Sequence, residues 1–133
     1  YDIYKQKCSS CHTEPLFTDH SFRNNGLPPS TLNDIGRGRV TLNEEDKYKF
    51  KVPSLRNLSF TAPYMHDGRF FTIDAVLDHY ALHMQSTQNL DPVFQQGSGI
   101  GISLSNDEKR LIIAFLKTLD DHEFVKNPLL AEQ

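Results

Sequence analysis

The chain has 133 residues, a net charge of −3, 38% hydrophobic residues, 7 Gly, 7 Pro, 2 Cys and no Trp. That length supports one compact domain with a modest core. The charge gives no reason to expect a nucleic-acid or anionic-membrane partner, no apolar run is long enough to span a bilayer, and no signal peptide is visible.

The chain starts at Tyr1 without a Met, seven residues before its first motif, and reads as an excised domain or a processed product. A missing signal peptide therefore says nothing about location. Residues 1–12 are predicted to form a short helix, with Ile3, Tyr4 and Lys7 on neighbouring turns. It leads into Cys8-Ser9-Ser10-Cys11-His12. A Cys pair at this spacing serves as a disulfide, a redox couple or half a zinc site. Zinc needs two further ligands at similar local spacing, and there is no second Cys pair. A thioredoxin-like couple needs a βαβ pattern around it, which is missing. The His directly after the second Cys is what the remaining alternative requires: C-x-x-C-H is the attachment motif of c-type haem. Each thiol adds to a vinyl group as a thioether, the spacing sets both sulfurs along one porphyrin edge, and His12 binds the iron as proximal ligand. A chance Cys pair followed by a surface His is the competing explanation.

Residues 13–60 read as irregular, with turn chemistry in Asn24–Thr31 and Asp34–Val40. Glu44, Glu45 and Asp46 read as a solvated acidic turn. The segment 50–70 is interrupted by Pro53, Pro63 and Gly68 and should be an ordered loop, in which His66-Asp67-Gly68 reads as a turn whose His serves the loop, the alternative being a His near the haem edge or an inter-domain gap. A helix is predicted from about Thr72 to Met84, capped by Thr72, with Asp74 in its first turn. Its apolar stripe is Ile73, Val76, Leu77, Tyr80, Ala81 and Met84. His79 and His83 fall on another face and read as a solvated pair. Residues 85–104 read as loop. The last helix starts at Ser105, where Ser105 and Glu108 make a capping-box pattern, and should bury Leu111, Ile112, Phe115, Leu116 and Leu119. The tail, residues 122–133, reads as a flexible strap or a contact with something else.

The fold class is therefore mainly α: a cytochrome c-like domain, residues 1–121, of about three helices whose long ordered loops wrap one c-type haem. A second axial ligand would come from Met, His or Tyr. Spacing leaves Met84, Met65 and Tyr80 as rivals. Arg37, Arg39, Arg56 and Arg69 are candidates to pair with haem propionates, and spacing does not choose among them.

The runs "CSSCHTEPLFTDHSFRNNGLP", "DIGRGRVTLNEEDKYKFKVPSLRNLSFTAPYMHDGRFFTIDAVLDHY" and "LSNDEKRLIIAFLKTL" resemble the C-terminal haem domain of the family of bacterial di-haem cytochrome c peroxidases and MauG. The resemblance covers nearly all of the chain up to about Leu119, and "VPSLRN" and "TAPYMHDG" are far more specific than the haem motif alone. It implies haem c on Cys8 and Cys11, His12 as proximal ligand and Tyr80 as distal ligand, the position that is Met in the peroxidases and Tyr in MauG-type members. Met65 and Met84 then become packing residues. It also implies a calcium ion between the two haem domains, bound in part by the backbone carbonyls of Thr61 and Pro63. The family's N-terminal haem domain, where peroxide reacts, has no counterpart in this chain, nor does the Trp often placed between the haems.

A phenolate is a hard, anionic ligand that favours oxidised iron, where a thioether favours the reduced form. The implied function is the electron-transfer haem c domain of a di-haem oxidoreductase, with no catalytic residue of its own. The full-length enzyme would reduce hydrogen peroxide or, as MauG does, drive oxidation of a protein substrate. Its partners would be the N-terminal haem domain and either a small redox protein (cytochrome or cupredoxin) or that protein substrate, and covalent haem attachment implies the periplasm. The alternatives are a free-standing mono-haem electron-transfer cytochrome and, more weakly, an apo-domain made without haem attachment.

Overall fold

The structure is a computed structural model that describes residues 1–31, 33–97 and 99–130. Helix α1, Asp2–Lys7, carries Asp2 in its first turn and Lys5 and Lys7 in its last, complementing the helix dipole. It stops earlier than predicted. Cys8 leaves helical geometry, and residues 8–12 form turns closed by His12 N–H to the Cys8 carbonyl at 3.0 Å and Cys11 N–H to the same carbonyl at 3.3 Å. Strand β1, Phe22–Arg23, pairs antiparallel with β2, Phe50–Lys51, in the register Phe22 to Lys51 and Arg23 to Phe50. Between them lies a single helical turn, α2, Gly38–Thr41. The acidic turn is not simply solvated. It is a 3-10 turn, Glu44–Asp46, whose Asp46 carboxylate meets Arg37 at 3.0 Å and Lys49 at 3.5 Å.

Helix α3, Ile73–Asp78, starts as expected: the Thr72 hydroxyl accepts from Ala75 N–H at 3.1 Å. It then widens into one π turn, His79–His83. The π turn accommodates an extra residue, so helical counting beyond Asp78 fails. Two expectations change with it. His79 is 1% exposed, not solvated, while His83 stays exposed. Met84 leaves the helix with extended backbone rather than ending the apolar stripe. The carbonyl of Tyr80 accepts instead from Ile102 N–H at 2.8 Å.

That donor, Ile102, follows a small hairpin in the region read as loop, β3, Gln95–Gln96, and β4, Gly99–Ile100. Gly101 comes next with φ +108°, and a Cβ there would lie 2.6 Å from the Tyr80 carbonyl oxygen, so only glycine fits.

Helix α4, Asn106–Lys117, carries the full capping box: Ser105 N–H to Glu108 Oε2 at 2.8 Å and Glu108 N–H to Ser105 Oγ at 3.2 Å. Its buried stripe is Lys109, Ile112 and Leu116. Leu111, expected inside, is 57% exposed, because it sits about 100° around the helix from Ile112. The tail begins with a helix, α5, His122–Lys126, capped by Asp121, followed by a 3-10 turn, Pro128–Leu130. Its side chains are exposed; residues 131–133 of the predicted strap lie outside the described residues.

The fold is mainly helical with few strands, as expected. Leu77 of α3 packs on Ile112 and Leu116 of α4, joined by Ile3, Cys8, Leu55 and Leu58. Full burial of each such aliphatic side chain contributes about 1.5–3 kcal/mol. Lys109, 9% exposed, reaches Asp78 at 2.5 Å and pins α3 to α4. A second cluster stacks Tyr4 and Phe17 on Phe115, with centroids 4.8 Å (Tyr4) and 6.2 Å (Phe17) from it. The Cys8–His12 turn sits where these two clusters meet, since Tyr4 and Cys8 belong to one each.

Candidate haem-binding site

The Cys8–His12 turn is held by its flanks. Tyr4 is fully buried, and its hydroxyl donates to the His12 carbonyl. Burial pushes this phenol up to about 12, so it keeps the proton it donates. Asp19 N–H donates to the Cys11 carbonyl at 2.9 Å. Cys8 and Cys11 are not joined to each other. Burial pushes the Cys8 thiol up to about 11 and raises that of Cys11. Thiols kept protonated in this way are poor redox nucleophiles. An apolar setting suits a thioether, which has no charge to desolvate.

The His12 ring is fixed from one side. Its Nδ1 lies 3.1 Å from the Phe17 carbonyl and 3.1 Å from the Pro53 carbonyl. Both partners only accept, so Nδ1 carries the hydrogen and the lone pair stands on Nε2. Burial lowers the pKa of His12, opposed by the hydrogen bonds to Phe17 and Pro53. A neutral imidazole with Nδ1–H on a backbone carbonyl is the arrangement that orients a metal-ligating His. The donor set therefore fits a c-type haem: two uncharged sulfurs and one oriented imidazole nitrogen.

Tyr80 and Met65, two of the three rival axial ligands, are brought together at Asn25. The Asn25 side-chain N–H₂ lies 3.3 Å from the Tyr80 hydroxyl and 3.5 Å from the Met65 sulfur. Tyr80 also stacks on Phe94 at 5.7 Å. Burial raises the pKa of its phenol, the Asn25 amide opposes the rise, and negative charge on Cys11 or Cys8 would add to it. The phenol therefore lies within electrostatic reach of both cysteines. Met84 is not part of this group.

Other predicted residues have partners elsewhere. His79 Nε2 donates to the Asn25 carbonyl at 2.9 Å. Among the described residues, no group of three or more His, Cys, Asp or Glu is placed to hold a metal ion. His66 stacks on Phe50, with centroids 3.6 Å apart and planes 11° apart. Arg37 pairs with Asp46, Arg56 donates to the Pro15 carbonyl, and Arg69 grips Asp67 and the Pro28 carbonyl. Arg39, Thr61 and Pro63 are exposed.

Two residues escaped the sequence reading. Arg23 binds Asp19 at 2.8 Å and Asp91 at 3.1 Å, and its positive charge acts on both Cys11 and His12. The Asp19–Arg23 spacing was its only local signal. Asn25 was read as turn chemistry, and nothing local marks the long-range contacts it makes.

No protein-family model matches the chain. It is 39% identical over 117 residues to the methylamine utilization protein MauG of Methylorubrum extorquens, a match covering 86% of this chain and 31% of that protein. With MauG of Methylophilus methylotrophus the identity is 36% over 98% of this chain and 38% of the relative. The cytochrome c551 peroxidase of Nitrosomonas europaea is 34% identical over 98% of this chain and 36% of its own length. The chain thus spans 31–38% of the length of these relatives. Among solved structures, a MauG-like protein associated with microbial copper homeostasis superposes with a TM-score of 0.79 at 29% identity, covering 98% of this chain and 45% of that one. A variant of the di-haem peroxidase BthA of Burkholderia thailandensis shares the fold at TM-score 0.73 and 20% identity, over 92% of this chain and 41% of that one. Over the portion it shares with them, the chain belongs to the family of MauG and the bacterial cytochrome c peroxidases.

Proposed function

We propose that residues 1–121 form the C-terminal, electron-transfer haem c domain of a di-haem peroxidase, with residues 122–133 as a tail. The observation that carries this reading is the orientation of His12, Nδ1 on two backbone carbonyls and Nε2 free, next to two unjoined cysteines. One haem, bound covalently, would supply one-electron oxidation and reduction at iron.

Cys8 and Cys11 would hold the group along one edge, and His12 would ligate through Nε2. Tyr80 would be the second protein ligand, through its phenol oxygen, giving a site suited to holding iron oxidised. With His12 and Tyr80 both committed, the chain offers peroxide no coordination position. Peroxide chemistry would belong to a second haem domain, and this one would pass electrons or oxidising equivalents between that domain and a small redox protein or a protein substrate. The backbone carbonyls of Thr61 and Pro63 would contribute to a calcium site between the domains. Covalent haem attachment would place the protein in the periplasm. Among the described residues no helix is long and apolar enough to cross a membrane.

The haem-loaded 133-residue chain is expected to exchange electrons with a reduced donor and to show no turnover with hydrogen peroxide. A clear peroxidase rate from that chain alone would overturn the division of labour. The ligand assignment is tested separately: a Tyr80→Phe variant should change the ferric absorption spectrum, and an unchanged spectrum would exclude Tyr80.

A further inference from the structure

We infer that Asn25 is the positioning residue that decides which side chain faces the iron opposite His12, by holding the Tyr80 hydroxyl and the Met65 thioether on the two hydrogens of one amide. The inference rests on reading Tyr80 as the second ligand. An amide N–H₂ offers two hydrogens at a fixed angle. Here one addresses the phenol oxygen at 3.3 Å and the other the Met65 sulfur at 3.5 Å. The two acceptors cannot exchange places without giving up both contacts.

The backbone that carries the amide is held on both sides. Asn24, 2% exposed, accepts from Gly26 N–H at 2.9 Å and donates to the Thr87 hydroxyl at 3.0 Å and the Gln88 carbonyl at 2.7 Å. The Asn24 carbonyl accepts from Asp91 N–H at 3.1 Å, and the Gly26 carbonyl from Gln85 N–H at 2.9 Å. Gly26 has φ +65°, and a Cβ there would lie 2.9 Å from the Gln85 carbonyl oxygen. The Asn25 carbonyl takes the His79 Nε2–H at 2.9 Å, which ties the same peptide to the π turn that carries Tyr80. Both ends of the Asn25–Tyr80 contact are therefore fixed to one scaffold.

The chemistry gives the contact a direction. A phenolate oxygen is a strong acceptor and a thioether sulfur a weak one. The amide N–H on the oxygen draws electron density from it and weakens it as a donor to iron. The amide N–H on sulfur keeps the softer rival occupied. Removing the hydrogen on the oxygen should lower the midpoint potential as long as Tyr80 stays, and removing the one on sulfur releases Met65 to compete, which would raise it.

The test uses the haem-loaded protein with Asn25→Asp, which keeps the side-chain shape without its donors, and Asn25→Leu. The His79 contact is to backbone and survives in both. The expected result is an altered ferric absorption and paramagnetic-resonance spectrum in both variants, a lower midpoint potential in Asn25→Asp, where Tyr80 stays, and in Asn25→Leu a thioether-to-iron band with a higher potential, both of which disappear when Met65→Leu is added. A purely structural role would not produce a band that depends on Met65. Should one variant not fold, the other carries the test. Spectra and potential equal to the parent in the folded Asn25 variants would overturn the inference. If Tyr80→Phe itself matches the parent, the ligand reading fails first and the inference with it.

Discussion

Gly101 lies against the carbonyl of Tyr80 so closely that a Cβ at this position would stand 2.6 Å from the oxygen. The contact is between backbones, and it is what allows the Tyr80 carbonyl to accept from Ile102 N–H at 2.8 Å. A Gly101→Ala substitution adds this clash to a strained φ of +108°. We expect a loss of about 1–3 kcal/mol in unfolding free energy of the haem-loaded protein, measured by denaturant titration, together with a shift of the ferric spectrum. A loss of stability with an unchanged spectrum would mean that the hairpin does not position Tyr80.

Asp19 gives a dependence on acid. Burial pushes its carboxyl up, but the hydrogen bonds from Arg23 and Ser21 outweigh burial and bring it down to about 2, from an ordinary 3.8. A folded pKa below the unfolded one contributes stability that is complete above the unfolded value and is lost as pH falls through the folded one. The stability difference between the parent and Asp19→Asn should therefore be constant at neutral pH, begin to shrink near 3.8, and go on shrinking as pH falls through about 2. Denaturant titrations across that range check it, and a difference that grows with acid would contradict it.

The Lys109–Asp78 bond at 2.5 Å joins α4 to α3 under the core. Asp78 keeps part of its hydration, so Lys109→Ala should destabilise by about 1–2 kcal/mol rather than by the larger cost of stranding a fully buried charge. Lys109→Met, which keeps the packing of the stem, should recover part of that loss. Thermal unfolding of the two variants side by side distinguishes lost packing from the lost charge.

What could be read from the sequence was local in origin. The haem motif is five consecutive residues, the Ser105–Glu108 box spans one helical turn, and the Thr72 hydroxyl caps a helix by accepting from Ala75 N–H, three residues on. The π turn was not readable, because its cause is a hairpin twenty-odd residues downstream that supplies Gly101 and Ile102. The burial of His79 follows from the same turn. Arg23 was missed because Asp91, one of the groups that hold it, is 68 residues away, and Asn25 because its partners Met65 and Tyr80 lie 40 and 55 residues away. Leu111 failed differently: apolar residues wider than the contact stripe of α4 are indistinguishable from core by pattern alone.

The account depends most on Cys8 and Cys11 holding a haem through thioether bonds. The direct measurement is the intact mass of the denatured protein after expression with cytochrome c maturation. The prediction is the mass of the chain plus one haem, resistant to acid extraction, and the bare chain mass for the Cys8→Ala/Cys11→Ala variant. A bare chain mass for the parent under those conditions, or a haem that acid extraction removes, would contradict it.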